Sequence, residues 1–214
     1  MTNAQQLFAH EVDRFQAWAD AYPIKIESRY GEWECDYDDW NAIYVTLNTV
    51  LHTMPISSWD SLLMAQILYI LGRDNEMEIV ADAIAADPER LLVVAAAAIG
   101  AGDRDAQWQC AEHLGALVQD RSRAEDLLVC FLSSGDEYVR RRALMALGRL
   151  QSPLTDVFVQ QAWESGNEYQ RMVALSALKD AGSVNLEQYL LAGETDPSAF
   201  VRAHVERVRA GSDP

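Results

Sequence analysis

One short segment, Glu32-Trp33-Glu34-Cys35-Asp36-Tyr37-Asp38-Asp39-Trp40, gathers five carboxylates and three aromatic rings into nine residues. That combination suits the recognition of a basic protein. Carboxylates give charge-assisted hydrogen bonds to arginine and lysine, and tryptophan and tyrosine stack on guanidinium groups. Glu32, Trp33, Glu34, Asp36, Tyr37, Asp38, Asp39 and Trp40 are therefore candidate partner-binding residues. The same residues also fit a solvated loop whose rings pin it to the neighbouring helices and whose Asp38 or Asp39 caps a helix beginning near Trp40. A calcium loop fits less well. Asp36 and Asp38 open an acidic spacing, but Asn41 stands where an EF-hand loop needs glycine, and no glutamate follows at the required place.

A second acidic edge comprises Asp74, Glu76, Glu78 and Asp82; the spacing of four predicts one helical face for Asp74, Glu78 and Asp82 and a further binding contribution from these three. Against this acidity stands a local basic run, Arg140, Arg141 and Arg142 with Arg149, suited to an anionic ligand or a second partner segment. Catalysis finds little support. His10, His52, His113 and His204 fall on four different elements, and no nucleophile elbow, phosphate loop or dinucleotide fingerprint occurs. The expectation is a non-enzymatic protein with no cofactor and no metal site.

The chain carries 17 basic and 33 acidic residues, a net charge of −16. So negative a surface argues against binding DNA or RNA, where affinity comes from lysine and arginine displacing counterions from phosphates. The charge is also polarised: residues 1–120 hold twenty acidic and six basic side chains, net −14, and residues 121–214 are net −2. Like charges packed this densely repel, a cost that a cationic partner would relieve. The longest apolar run, Leu91 to Ala101, is well short of the roughly 18 to 20 residues of a membrane span. Glu11 and Asp13 stand where a secretory signal would be apolar, and Cys35, Cys110 and Cys130 are odd in number without a C-x-x-C pair. These features predict a cytoplasmic protein with free thiols.

The elements that must position these residues read as helices almost throughout. Phe8, Val12, Phe15, Ala19 and Tyr22 form a stripe at steps of four and three that ends before Pro23. Similar stripes follow in Ile43, Leu47, Val50 and Leu51, then in Leu63, Ile67, Ile70 and Leu71, with glycine or proline between them. Only from Tyr22 to Trp40 does a period-two alternation about Gly31 replace the helical one, predicting a short β-hairpin or loop insert near residues 23–38.

Internal repetition organises the rest. Gly135-Asp136-Glu137-Tyr138-Val139-Arg140 with Ala143-Leu144-Met145-Ala146-Leu147-Gly148 aligns, at an offset of 31, with Gly166-Asn167-Glu168-Tyr169-Gln170-Arg171 and Ala174-Leu175-Ser176-Ala177-Leu178. The offset continues to Phe200-Val201-Arg202, and an offset of 33 leads back to Gly102-Asp103, with Cys110 in an alanine position. Arg140, Arg171 and Arg202 form one column; Tyr138, Tyr169 and Phe200 form another.

The pattern Asp-x-x-Val-Arg-x-x-Ala-x-x-Ala-Leu-Gly resembles the second helix of HEAT repeats of the short bacterial variety. The resemblance covers about residues 88 to 210, with 58 to 86 as a divergent pair and 1–55 outside the consensus. It implies an all-α fold, a single α-α superhelix over 1–214 of about six antiparallel helix pairs, HEAT-like at 58–210, with a divergent N-terminal cap at 1–55 carrying the insert 23–39. It also implies that second helices line a concave face and that the arginine column is a structural ladder bonding turn aspartates. Enzymes built on HEAT-like repeats match poorly. The metal hydroxylases use repeated His-Glu pairs, and this chain has only His10-Glu11 in that order. The DNA glycosylases need a cationic groove, and nothing here points to the tetrapyrrole of bilin lyases.

Two functional classes follow. The first is an inhibitor or immunity-type protein that captures a basic toxin, a nuclease for instance, on its acidic surface. The second is an adaptor or assembly scaffold holding a peptide or subunit on the concave face, with a glycosylase or lyase as a distant alternative. A monomer until bound is the expected state, with no nucleic acid or membrane partner.

Overall fold

The computed structural model describes residues 2–24 and 33–211, and among them every regular element is helical and none is a strand. Among the described residues twelve α-helices follow one another: α1 (Asn3–Ala21), α2 (Trp40–Thr53), α3 (Ser61–Arg73), α4 (Ile79–Ala85), α5 (Pro88–Ala101), α6 (Arg104–Leu114), α7 (Arg121–Leu132), α8 (Glu137–Arg149), α9 (Thr155–Glu164), α10 (Glu168–Ala181), α11 (Leu186–Glu194) and α12 (Ala199–Ala210). They gather into two compact units, Met1–Gln109 and Cys110–Pro214, with the division falling inside α6. No helix among the described residues is long and apolar enough to cross a membrane.

In the first unit the predicted stripes are the core. Phe8, Val12 and Phe15 of α1 and Ile43 and Val50 of α2 are fully buried, as are Leu63, Ile67 and Ile70 of α3. α1 packs on α2 and α3, and α3 packs on α4 and α5. In the second unit the antiparallel partners are α7 with α8, α9 with α10 and α11 with α12, and the second helices α8, α10 and α12 stack in series. This is the helix-pair packing of an α-solenoid, in which no pair buries its own stripe alone.

The repeat columns acquire physical roles. Asp103, Asp136, Asn167 and Ser198 all precede second helices, and each side chain accepts hydrogen bonds from backbone N–H groups at the start of its helix. Two residues before the last three of these caps stand Ser134, Ser165 and Asp196, whose side-chain oxygens accept the caps' own N–H. Replacing Asp136 with alanine orphans the N–H groups of Tyr138 and Val139, and the expected cost is about 1 kcal/mol in urea unfolding. Asp136→Asn, which keeps the accepting oxygen, should lose only a few tenths; equal losses would assign the effect elsewhere.

Small residues set the spacing of the second helices. A Cβ on Gly115 would lie 2.8 Å from Ala146 Cα, and one on Gly148 would lie 2.7 Å from Ala177 Cα. Cys110, in the alanine position of its repeat, is buried, and loss of solvation pushes its thiol up to about 12, so it acts as a small apolar side chain. All three cysteines are free thiols, Cys35 and Cys130 being exposed.

The arginine column bonds the turns, but only Arg171 reaches an aspartate carboxylate; Arg140 and Arg202 bond backbone carbonyls where the resemblance implies aspartates. Arg140 Nη1 donates to the Ser134 carbonyl (2.7 Å), Arg202 Nη1 to the Asp196 carbonyl (2.6 Å), and Arg171 forms a paired contact with Asp196 of the next repeat.

Candidate partner-binding site

The acidic-aromatic segment is placed by α1 and α2. Residues 25–32, and with them Glu32 and most of the alternation about Gly31, lie outside the described residues. Of the two alternatives, hairpin or loop, the described arm fits the loop: Trp33–Asp36 is a 3-10 turn and not a strand. The reason is aromatic packing. Trp33 stacks on Trp18 (ring centroids 5.6 Å, 7° between planes), and Tyr37 and Trp40 both sit 5.0 Å from Phe15. Positions 33, 37, 40 and 44 are spaced as one helical stripe, so a turn that leads into α2 brings Trp33, Tyr37 and Trp40 to α1 with Tyr44 beside Trp40. Trp40 in turn stacks on Tyr44 (5.6 Å, 18°), and its indole N–H donates to the Glu34 carbonyl at 2.8 Å.

The carboxylates separate into two groups. Asp36, Asp38 and Asp39 are exposed; Asp36 accepts from the Tyr22 hydroxyl at 2.5 Å and Asp39 from Arg14. Asp39 occupies the N-cap of α2 without a side-chain cap bond, contrary to the capping expectation, because its oxygen faces Arg14. Glu34, in contrast, is buried at 5% exposure, 4.0 Å from Arg73, whose guanidinium also bonds Asp103 at 2.9 Å. Tyr37 is buried as well, and loss of solvation raises the pKa of its phenol.

Asp74, Glu78 and Asp82 do not share a helical face. α3 ends at Arg73, and α4 begins only at Ile79, after a left-handed Glu78 with φ of 54°. Asp74 is buried within the break, where it accepts from the Tyr44 hydroxyl and the Val80 N–H, both at 2.8 Å. Burial raises its carboxyl pKa, and those two hydrogen bonds oppose the rise. Asp74 thus joins α2 to the start of α4, while Asp82 stays exposed on α4 and Glu78 is half-buried.

Between the turn 33–36 and the connection 74–79 lies a cavity of about 370 Å³, lined by Glu34, Cys35, Trp40, Tyr44, Arg73, Asp74, Asn75, Glu76, Met77 and Ile79. Glu34, Trp40 and Asp74 are candidate residues of the sequence, and Glu76 belongs to its second acidic edge. Tyr44 and Met77 were not singled out, although Tyr44 follows Trp40 at the helical interval of four. Glu76 accepts a hydrogen bond from the Cys35 thiol at the cavity edge.

The basic run carries no open anion site. Arg142 and Arg149 both bond Glu112, Arg140 bonds a turn carbonyl, and Arg141 pairs with Glu137 while lying over the rings of Tyr138 (4.7 Å) and Tyr169 (5.1 Å). Burial would raise the Glu112 carboxyl pKa, but the bond from Arg149 and the charges of Arg149 and Arg142 hold it below the usual range. Among the described residues no cluster of histidine, cysteine or carboxylates is arranged to hold a metal ion.

The family model for HEAT repeats matches residues 91–179, which span the end of the first unit and α7 to α10 of the second. No curated protein and no solved structure matches the chain.

Proposed function

This chain is a HEAT-like repeat protein, its repeats matched over residues 91–179, and from that premise we propose that it works without catalysis, by capturing a basic protein on the acidic surface of its first unit. HEAT repeats make helical scaffolds that commonly mediate protein interaction, and their all-helical folds are typically non-catalytic. The finer reading is a cytosolic inhibitor of the immunity type, whose partner is a basic toxin such as a nuclease. The observation that carries it is the placement of charge. Asp36, Asp38, Asp39, Glu76 and Asp82 are exposed around a rigid aromatic cluster, within the 120 residues that hold a net −14. Complementary charge of this density speeds encounter and makes it sensitive to salt.

The test is affinity capture with the whole protein at low and at moderate salt, followed by measurement of the dissociation constant for whatever basic protein is retained. One basic protein held stoichiometrically is the expected result. Reversal of Asp36, Asp38 and Asp82 to lysine should weaken it by more than about tenfold. An unchanged constant removes this surface from the interaction.

A second reading, an adaptor that holds a peptide along the second helices, is favoured by one observation. The repeat column of aromatic rings ends in Tyr169 and Phe200, which are 49% and 66% exposed. Several weak partners, retained equally by the reversed variant, would support it over the inhibitor.

A further inference from the structure

We infer that the cavity beside Trp40 receives a single arginine side chain of the basic partner. For the source of that arginine the inference rests on the basic-partner reading above; its chemistry stands on the cavity itself. The volume, about 370 Å³, is at the small end of ligand sites, large enough for one long side chain and too small for a folded segment. Trp40 and Tyr44, with near-parallel rings, line one wall with aromatic surface, and Met77 and Ile79 add apolar area. A guanidinium is planar and weakly hydrated and stacks on such a surface, whereas an ammonium is compact and keeps its water.

The charges around the cavity select a cation. Three carboxylates, Glu34, Asp74 and Glu76, face one resident cation, Arg73, which already bonds Asp103. Asp74 is committed to Tyr44 and Val80 and is buried. Glu76 is exposed, and its partner is the Cys35 thiol, a weak donor. An incoming guanidinium would replace that thiol with a forked, charge-assisted pair on Glu76 while its plane lies against Trp40. The field of the whole unit favours the same occupant, since residues 1–109 hold eighteen acidic and six basic side chains. Met77, 62% exposed at the rim, would cover the aliphatic stem.

The experiment uses the full-length protein, isotopically labelled for NMR, and three probes with one butyl stem: butylguanidinium, butylammonium and the neutral butylurea. Butylguanidinium is expected to shift the Trp40 indole and the Met77 amide saturably, with a dissociation constant in the millimolar range that suits so small a ligand. Butylammonium should bind at least about fivefold more weakly and butylurea should leave both signals in place. Glu76→Gln should weaken butylguanidinium by about tenfold, and Met77→Lys, which sets a cation at the rim of an otherwise unchanged fold, should abolish saturation. Asp13→Asn, at an exposed carboxylate on α1 away from the cavity, is the charge control and should change nothing. Equal shifts with both cations, or equal weakening by Glu76→Gln and Asp13→Asn, would reduce the effect to general acidity and overturn the inference, as would the absence of localised shifts. Any of these results leaves the basic-partner reading standing, because that reading is judged separately by reversal of Asp36, Asp38 and Asp82.

Discussion

Replacing Arg171 with alanine is expected to cost the second unit about 3–5 kcal/mol, read as a lower urea midpoint and as faster hydrogen exchange in α10 and α12. Arg171 and Asp196 are 9% and 7% exposed and meet through two parallel bonds, Nε to Oδ2 at 2.7 Å and Nη2 to Oδ1 at 2.9 Å. The same Asp196 carboxylate accepts the Ser198 N–H at 2.8 Å, so it also shapes the turn that leads into α12. Alanine leaves that carboxylate buried without its counter-charge, which is far more costly than losing an exposed pair. The double variant Arg171→Met with Asp196→Asn strands no charge and keeps an acceptor for Ser198, and it should recover most of the loss. A cost below about 1 kcal/mol for Arg171→Ala, the range of a surface ion pair, would show that water reaches the pair.

Gly148→Ala should also be strongly destabilising, by about 2–3 kcal/mol, although alanine is the better helix former by about 1 kcal/mol. The added Cβ would stand 2.7 Å from both the Cα and the carbonyl oxygen of Ala177, backbone atoms that no rotamer change can move. α8 and α10 must therefore separate, and with them the fully buried Leu144, Ala174 and Leu178, which belong to one core cluster. Gly100→Ala supplies the contrast. It lies inside α5 with no atom within 4 Å of the new Cβ, so propensity alone acts and the protein should gain about 0.5–1 kcal/mol. Thermal midpoints measured side by side should move in opposite directions; a shared direction would mean that close helix approach does not decide the Gly148 result.

Much of this architecture was legible from the sequence because repeats state each rule several times. A single aspartate before a helix is ambiguous, but the recurrence of Asp136, Asn167 and Ser198 at one offset marks them as one repeat position, and the structure shows that position to be the N-cap, a role the repeat by itself did not state. The first unit has no such redundancy, and there the reading diverged. Spacing alone put Asp74, Glu78 and Asp82 on one face, yet the helix stops at Arg73, just past Gly72, which already marks a break between stripes. The stop is held by the buried Asp74 carboxylate and by Glu78 in the left-handed region, which spacing of charges alone does not disclose. The alternation at Trp33, Cys35 and Tyr37 misled for a related reason. Bulky rings at 33 and 37 satisfy a period of two and a period near four equally well, and the continuation to Trp40 and Tyr44 is what distinguishes them. Burial of Glu34 depends on Arg73 and the cavity, which no spacing within 32–40 discloses.

The joints of the second unit are self-contained. Ser134 to Asp136, Ser165 to Asn167 and Asp196 to Ser198 are bonds across two residues, and successive second helices meet chiefly through small side chains. Each turn thus carries its own instructions, and each seam consults only its immediate neighbour. A 31-residue word of this kind tolerates duplication or excision by recombination, because the cut ends meet in a joint of the same kind as the one removed. The length of such an array is then an evolvable dimension, adjustable in steps without rewriting the residues on either side.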